Sequence, residues 1–464
     1  MILFLTIVTQ PVWATVIHGK NEEYAGREIE FYSHADPVSQ EKEFVFLLEF
    51  DNKGNFHTNP EIKNIGFVFC EFGIYKGLFF LEPDKEIELK FPPLREKSFA
   101  DEKNPFFEPV TFWFETVEGN RLTDQVARFD RKFNELTDHF FNYLYFRQSK
   151  EVFDSVSTVL DREMPQNSPE VLQVHKKMKL KLLETDVFRL KTEDVSGTIS
   201  YVPVQFWNHP AFIAFFEKIF SNKLSLEAKT TKGLPVRKAV ANGDINFLFD
   251  LAQRKYELKG QAVELVVLKL LHDGFYSGEF SQEPILKMLK SAKLKGNQSQ
   301  IIRNIANNTI EKLEFLMPGT KAPVICLKNI DGYRVCSDQD SGKFKYLLFA
   351  DTEMIVCHEH LKYLSEIQDK FRKYLEIIIV LRKTDLIEMK MFLDKQQIPG
   401  LKLVDNEGEY IDRYRIQSFP EAFLLNKDHE VVFVHTKTPL DGFEQQFGAF
   451  LQNELFMQQR NQSR

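Results

Sequence analysis

Cys70, Cys326, Cys336 and Cys357 carry the most distinctive chemistry in this sequence. A thiol can attack a disulfide, ligate a soft metal, or pack as a small apolar group. Cys357 stands in FADTEMIVCHEH, residues 349–360, between the apolar run KYLLFA and the amphipathic run LKYLSEIQDKF. A lone cysteine where a strand hands over to a helix has the position of a redox site, because a helix N-terminus favours the thiolate. Exchange chemistry needs a second thiol, and this stretch has none.

The run CHEH also invites a metal. Cys357 and His360 are one helical step apart and could face one ion, whereas His358 points elsewhere. A third ligand would have to come from a distant segment, and the sequence nominates none. His358 to His360 are therefore expected to be exposed first-turn residues. The chain has no phosphate-cradling glycine loop, no G-x-S-x-G and no H-E-x-x-H. Nothing singles out a catalytic pair among its 67 Asp and Glu. No metal and no cofactor is expected.

Cys326 and Cys336 lie in GTKAPVICLKNIDGYRVCS, which reads as a hairpin. Ile330, Asp331 and Gly332 can form a three-residue loop with Gly332 at the positive-φ position. Asn329 then pairs with Tyr333, and 326 falls opposite 336. Counting outward makes this a non-hydrogen-bonded pair with Cα atoms about 4.5 Å apart, at the short end of what a disulfide tolerates. A cross-strand bond, or a proximal free pair, is the expectation in an oxidising compartment.

Around these residues, 464 positions suggest about three domains. Forty-five phenylalanines against 14 tyrosines and 3 tryptophans favour aromatic-rich cores over disorder. The net charge of −7, with scattered Lys and Arg, argues against a nucleic-acid footprint. Residues 1–14, with the apolar run ILFLTIV and Val12 and Ala14 at a cleavage-like spacing, resemble a short signal peptide without a basic n-region. Export to the periplasm or cell envelope is the corresponding expectation. No later run approaches the ~20 apolar residues of a transmembrane helix.

Residues 15–120 read as short strands separated by turns, and predict a small antiparallel β-sandwich with Cys70 buried on a strand. Residues 121–315 switch to helical period: Phe129, Phe133, Leu136, Phe140 and Tyr143 share one helix face, better read as core than as a ligand groove. Residues 316–464 alternate strand and helix and end in a strand pair and a helix, an α/β domain with a mixed sheet. Few contacts are expected at the joints 118–124 and 312–320.

The last domain resembles the TlpA/ResA-type members of the thioredoxin fold. GTKAP, GKFKYLLFA and YRIQSFPEAFLLNKDHEVVF follow the family order. QAVELVVLKLLHDGFY and IANNTIEKLEFLMPGTKAP are similar to envelope proteins that place a β-domain and a helical region before such a domain. The resemblance implies an attacking cysteine at Met354, a resolving cysteine at Cys357, a buried proton-handling residue at Leu348, a Trp at Glu353 and a cis-proline at Pro420, beside Phe419. Pro420 matches and Cys357 is present; Met354, Leu348 and Glu353 depart from the pattern. A thioether can neither attack nor leave as a thiolate. Two functions follow from the resemblance. One is a redox-inactive binding or structural protein, with a protein or peptide partner at the groove near Pro420. The other is an oxidoreductase acting through Cys357 alone.

Overall fold

The computed structural model describes residues 15–119, 121–164, 167–339, 341–383, 385–433 and 435–462. The expected signal peptide, residues 1–14, lies outside the described residues. The chain divides into two compact units, one reaching Leu313 without residues 103–106, the other joining those four to Glu314 and all that follows.

In the first unit, alternating apolar residues build two sheets. Lys42–Glu49, Glu28–His34, Gly66–Phe72, Tyr75–Leu81 and Val110–Trp113 form a five-stranded sheet in that order. Asn55–Thr58, Val16–Lys20, Glu86–Lys90 and Glu115–Thr116 form a four-stranded one. Each sheet contains a parallel pair, so neither is purely antiparallel. Inward residues of both sheets share one aromatic core, in which Phe31 and Phe46 stand opposite in register with ring centroids 4.5 Å apart. Cys70 is fully buried in it.

The helical region packs onto the five-stranded sheet within the same unit. The stretch 118–124 is not a loose joint. Thr123 Oγ1 accepts from the Phe80 N–H at 2.9 Å, and Asp124 accepts from the Thr116 backbone N–H and hydroxyl. Trp113 donates to Asp130, which also holds His175 at 2.8 Å. The aromatic stripe is core up to Phe140, but the α-helix Leu122–His139 gives way to a π-turn at Asn142–Phe146. The wider turn shifts the phase, and Tyr143 leaves the buried face. Helix Ala262–Tyr276 is apolar on nearly every side and buried on nearly every side.

The second unit carries the candidate site. Strands β1 (Cys326–Asn329), β2 (Arg334–Cys336), β3 (Phe344–Ala350), β4 (Leu375–Arg382), β5 (Leu401–Asp405) and β6 (Glu421–Leu425) form a mixed sheet in the order β2-β1-β5-β4-β3-β6. β3, β4 and β5 are parallel and the rest antiparallel. Helices α1 (Ile355–Phe371), α2 (Leu386–Lys395), α3 (Glu409–Arg413) and α4 (Phe443–Gln462) complete the unit. β3 and β4 are covered on both faces, which is why their sequences are continuous apolar runs.

The expected partner of β6, EVVFVHT, meets that strand among the described residues only at a bridge between Leu425 and Val431. The Thr436 hydroxyl, rather than a strand carbonyl, accepts the Leu424 N–H at 3.0 Å.

Candidate functional site

The site grows from the end of β3. Six buried residues, Lys345 to Ala350, bring the chain to Asp351, where an Asx-type turn replaces the strand. Asp351 Oδ1 accepts the Glu353 N–H at 2.9 Å, and the Asp351 carbonyl accepts the Met354 N–H at 3.1 Å. Met354 is the N-cap of α1 and supplies no side-chain cap, since a thioether is a poor acceptor. Ile355 and Val356 project into solvent at 79% and 48% exposure, while Cys357 turns inward and has no exposed surface. Its neighbours in the core include Leu348, Leu361 and Leu364.

Burial is the chief reason the Cys357 thiol is pushed up to about 11. A backbone hydrogen bond at Asp351 and the charge of Lys103 oppose this, and the Asp351 charge adds to it. The helix dipole at this terminus therefore does not prevail over desolvation.

Asp351 is fully buried and its Oδ2 lies 2.6 Å from Lys103 Nζ, with Arg382 at 3.6 Å. Lys103 also reaches Glu353 at 2.6 Å. Lys103→Met leaves Asp351 with the longer Arg382 pair, and a loss of about 2–3 kcal/mol in chemical unfolding is expected. A change under ~0.5 kcal/mol would show that water replaces the lysine without penalty.

The two histidines are not exposed. His358 stacks on Phe392 of α2 with centroids 4.1 Å apart and its Nε2 lies 2.6 Å from the Thr352 carbonyl oxygen. His360 is buried, accepts the Leu440 N–H, and has its pKa lowered by burial. The helix is set deeper than its polar first turn suggests, because the turn Pro439–Asp441 packs on it and Phe392 of α2 stacks on His358. Among the described residues, no group of three or more His, Cys, Asp or Glu is arranged to hold a metal ion.

Phe419 and Pro420 are half-buried, and their peptide bond is cis. The Arg382 guanidinium sits 5.8 Å from the Phe419 ring centre. Leu348 is fully buried between Ile379 and Ala422 in the sheet. The hairpin holds its expected register: Cys326 and Cys336 are opposite each other, 4.1 Å apart at Cα, and bonded.

Residues 318–434 match the AhpC/TSA family. The C-terminal domain is thioredoxin-like, of the AhpC/TSA type. Over 123 residues the chain is 28% identical to thiol-disulfide oxidoreductase ResA of Bacillus thuringiensis subsp. konkukian (strain 97-27), a match that covers 26% of this chain and 69% of that protein. ResA of Bacillus subtilis (strain 168) is 25% identical over 135 residues, covering 29% of this chain and 75% of its own length. A solved domain of a possible thiol-disulfide isomerase from Cytophaga hutchinsonii ATCC 33406 shares 22% identity with a TM-score of 0.27, covering 30% of this chain and 97% of that chain. A putative thiol:disulfide interchange protein DsbE from Chlorobium tepidum shares 24% at a TM-score of 0.24, covering 26% and 85%.

The thioredoxin-like domain brings Met354 and Cys357 to one helix end, as their spacing required. Asp351 and its cation Lys103 were missed. An acid directly after an apolar run was a readable turn signal, whereas nothing near residue 103 marks that lysine as its partner.

Proposed function

We propose that the thioredoxin-like domain is a protein-binding module of the cell envelope whose helix-end site does not exchange disulfides. The observation that carries this reading is Cys357: no exposed surface, a thiol pushed up to about 11, and a thioether three residues before it. A disulfide substrate can reach neither sulfur as a nucleophile.

What is presented instead is apolar. Ile355 and Val356 on α1 and Leu386, Ile387 and Met391 on α2 are exposed, and the His358–Phe392 stack joins the two helices. We read these side chains, together with the half-buried Phe419 and Pro420, as the seat of an extended apolar segment of an exported protein. We read residues 1–14 as the export signal. The two N-terminal sheets with their common core are read as a sandwich carried, with the helical region, ahead of this module. Among the described residues no helix is long and apolar enough to cross a membrane.

The test is alkylation of native protein by iodoacetamide, followed at Cys357 by mass spectrometry. At pH 8 the thiolate fraction of a group near 11 is on the order of 10⁻³, so labelling is at least a hundredfold slower than for a free thiol near 8.5. The rate climbs about tenfold per pH unit between pH 8 and 10, because deprotonation is still incomplete there. Fast labelling with a plateau near neutral pH would overturn the reading in favour of a single-cysteine oxidoreductase.

A further inference from the structure

We infer that the Cys326–Cys336 disulfide is a second, intact thiol–disulfide exchange centre, placed on the hairpin and able to accept two electrons from a protein dithiol. This goes beyond the binding role above and stands without it. The bond links β1 to β2, the outermost strand of the sheet. Both cysteines are half-buried, in contrast to the fully buried Cys70 and Cys357.

Cys326 lines a surface pocket of about 330 Å³ with Lys328, Arg334, Val404, Asp405 and Asn406; Cys336 is not among its described lining residues. In the exchange inferred here the incoming thiolate enters by this pocket and attacks Cys326, which makes Cys336 the leaving sulfur. Lys328 and Arg334 stand directly opposite each other in register, two residues inward from the cysteines and on their face of the hairpin. Two cations facing each other across strands work against pairing. Beside a disulfide they favour the thiolates that its opening releases. Glu407 and Glu409 also line the pocket. Asp405 is 1% exposed, and while its Oδ2 accepts the Tyr410 and Ile411 N–H groups at 2.9 Å, its Oδ1 has no hydrogen-bond partner among the described residues. It is a carboxyl at the pocket with an oxygen still available to a proton.

The backbone does not depend on the bond. The Asn329 N–H donates to the Tyr333 carbonyl at 2.8 Å, and Asn329 Oδ1 accepts the Asp331 and Tyr333 N–H groups. The Ser337 N–H donates to the Ile325 carbonyl at 2.8 Å, and the Cys326 N–H donates to the Tyr410 hydroxyl at 3.2 Å. β1 is also paired to β5 on its other side. Opened thiols therefore stay opposite each other and can close again.

In the step, a partner thiolate attacks Sγ of Cys326, the Cys326–Cys336 bond breaks, and Cys336 departs as a thiolate and takes a proton. The partner's second thiol loses its proton and attacks the partner sulfur of the mixed disulfide, releasing Cys326 as a thiol. The partner loses two electrons and two protons to become a disulfide, and the hairpin gains both.

Native full-length protein is equilibrated in graded mixtures of reduced and oxidised dithiothreitol, then alkylated, and the hairpin peptides are weighed. The expected result is a reversible two-electron transition at residues 326 and 336 with the far-ultraviolet circular dichroism retained. With glutathione disulfide as probe, Cys326 in Cys336→Ser forms its mixed disulfide at least tenfold faster than Cys336 does in Cys326→Ser. A pair that stays oxidised until the fold melts overturns the inference, as does Cys336 reacting as fast as Cys326. The wild-type titration decides the matter if either variant misfolds.

Discussion

Met354→Cys, made in a chain whose Cys326 and Cys336 are replaced by alanine, will reduce insulin with dithiothreitol as the electron source, while its Met354 parent will not. The hairpin cysteines are removed so that any turnover belongs to the helix end. Position 354 is the N-cap of α1, half-buried rather than enclosed, and the free N–H groups of the first turn favour an anion there. The new thiol therefore meets both conditions that Cys357 fails, access and a lowered pKa. Cys357 then stands one helical step away to resolve the mixed disulfide. Its own thiol is pushed up to about 11 by burial, so resolution is the slow step. Leu348 offers no group to take the Cys357 proton, and the missing general base leaves turnover roughly 10²-fold short of a complete site. Equal turnover in the variant and in its Met354 parent would show that the helix N-terminus does not activate a thiol here.

What could be read from the sequence follows a physical division. Local patterns were legible: the hairpin register followed from one loop and the period-2 count, and it placed Cys326 opposite Cys336. The fully covered strands β3 and β4 announced themselves as unbroken apolar runs. The histidines were misjudged because a polar first turn says nothing about what a distant segment lays over it. His360 is buried under Pro439–Asp441, 80 residues away in sequence at its Leu440 contact. Tyr143 was lost from its stripe because a single π-turn breaks the 3.6-residue phase, and no residue there signals it. Lys103 is the sharpest case. It meets the buried Asp351 across 248 positions, and only tertiary structure can pair them.

Leu348→Asp, which places a titratable group where the resemblance to the TlpA/ResA type implies one, will destabilise the fold by roughly 4 kcal/mol or more at pH 7. Leu348 has no exposed surface, lies between Ile379 and Ala422 in the sheet, and shares its core with Leu361 and Leu364. The substitution removes the packing of a buried leucine and puts a carboxylate into a cluster of apolar side chains. The penalty depends on pH in a defined direction. A carboxyl enclosed by apolar side chains has a higher pKa folded than its ordinary value near 4 in the unfolded chain. Its protonated form is then favoured in the folded state, so the variant is least destabilised below about pH 4 and loses further stability as the pH rises toward the folded-state pKa. Leu348→Asn carries the same shape and no titration, so its deficit relative to wild type stays constant across that range. Urea unfolding of the three proteins at pH 4 and pH 7 separates the packing cost from the charge cost. In the Met354→Cys background the same Asp should raise turnover, since it can accept the Cys357 proton that the leucine cannot. An Asp variant within about 1 kcal/mol of wild type at both pH values would mean that water reaches position 348, and the burial on which the inert-site reading rests would be wrong.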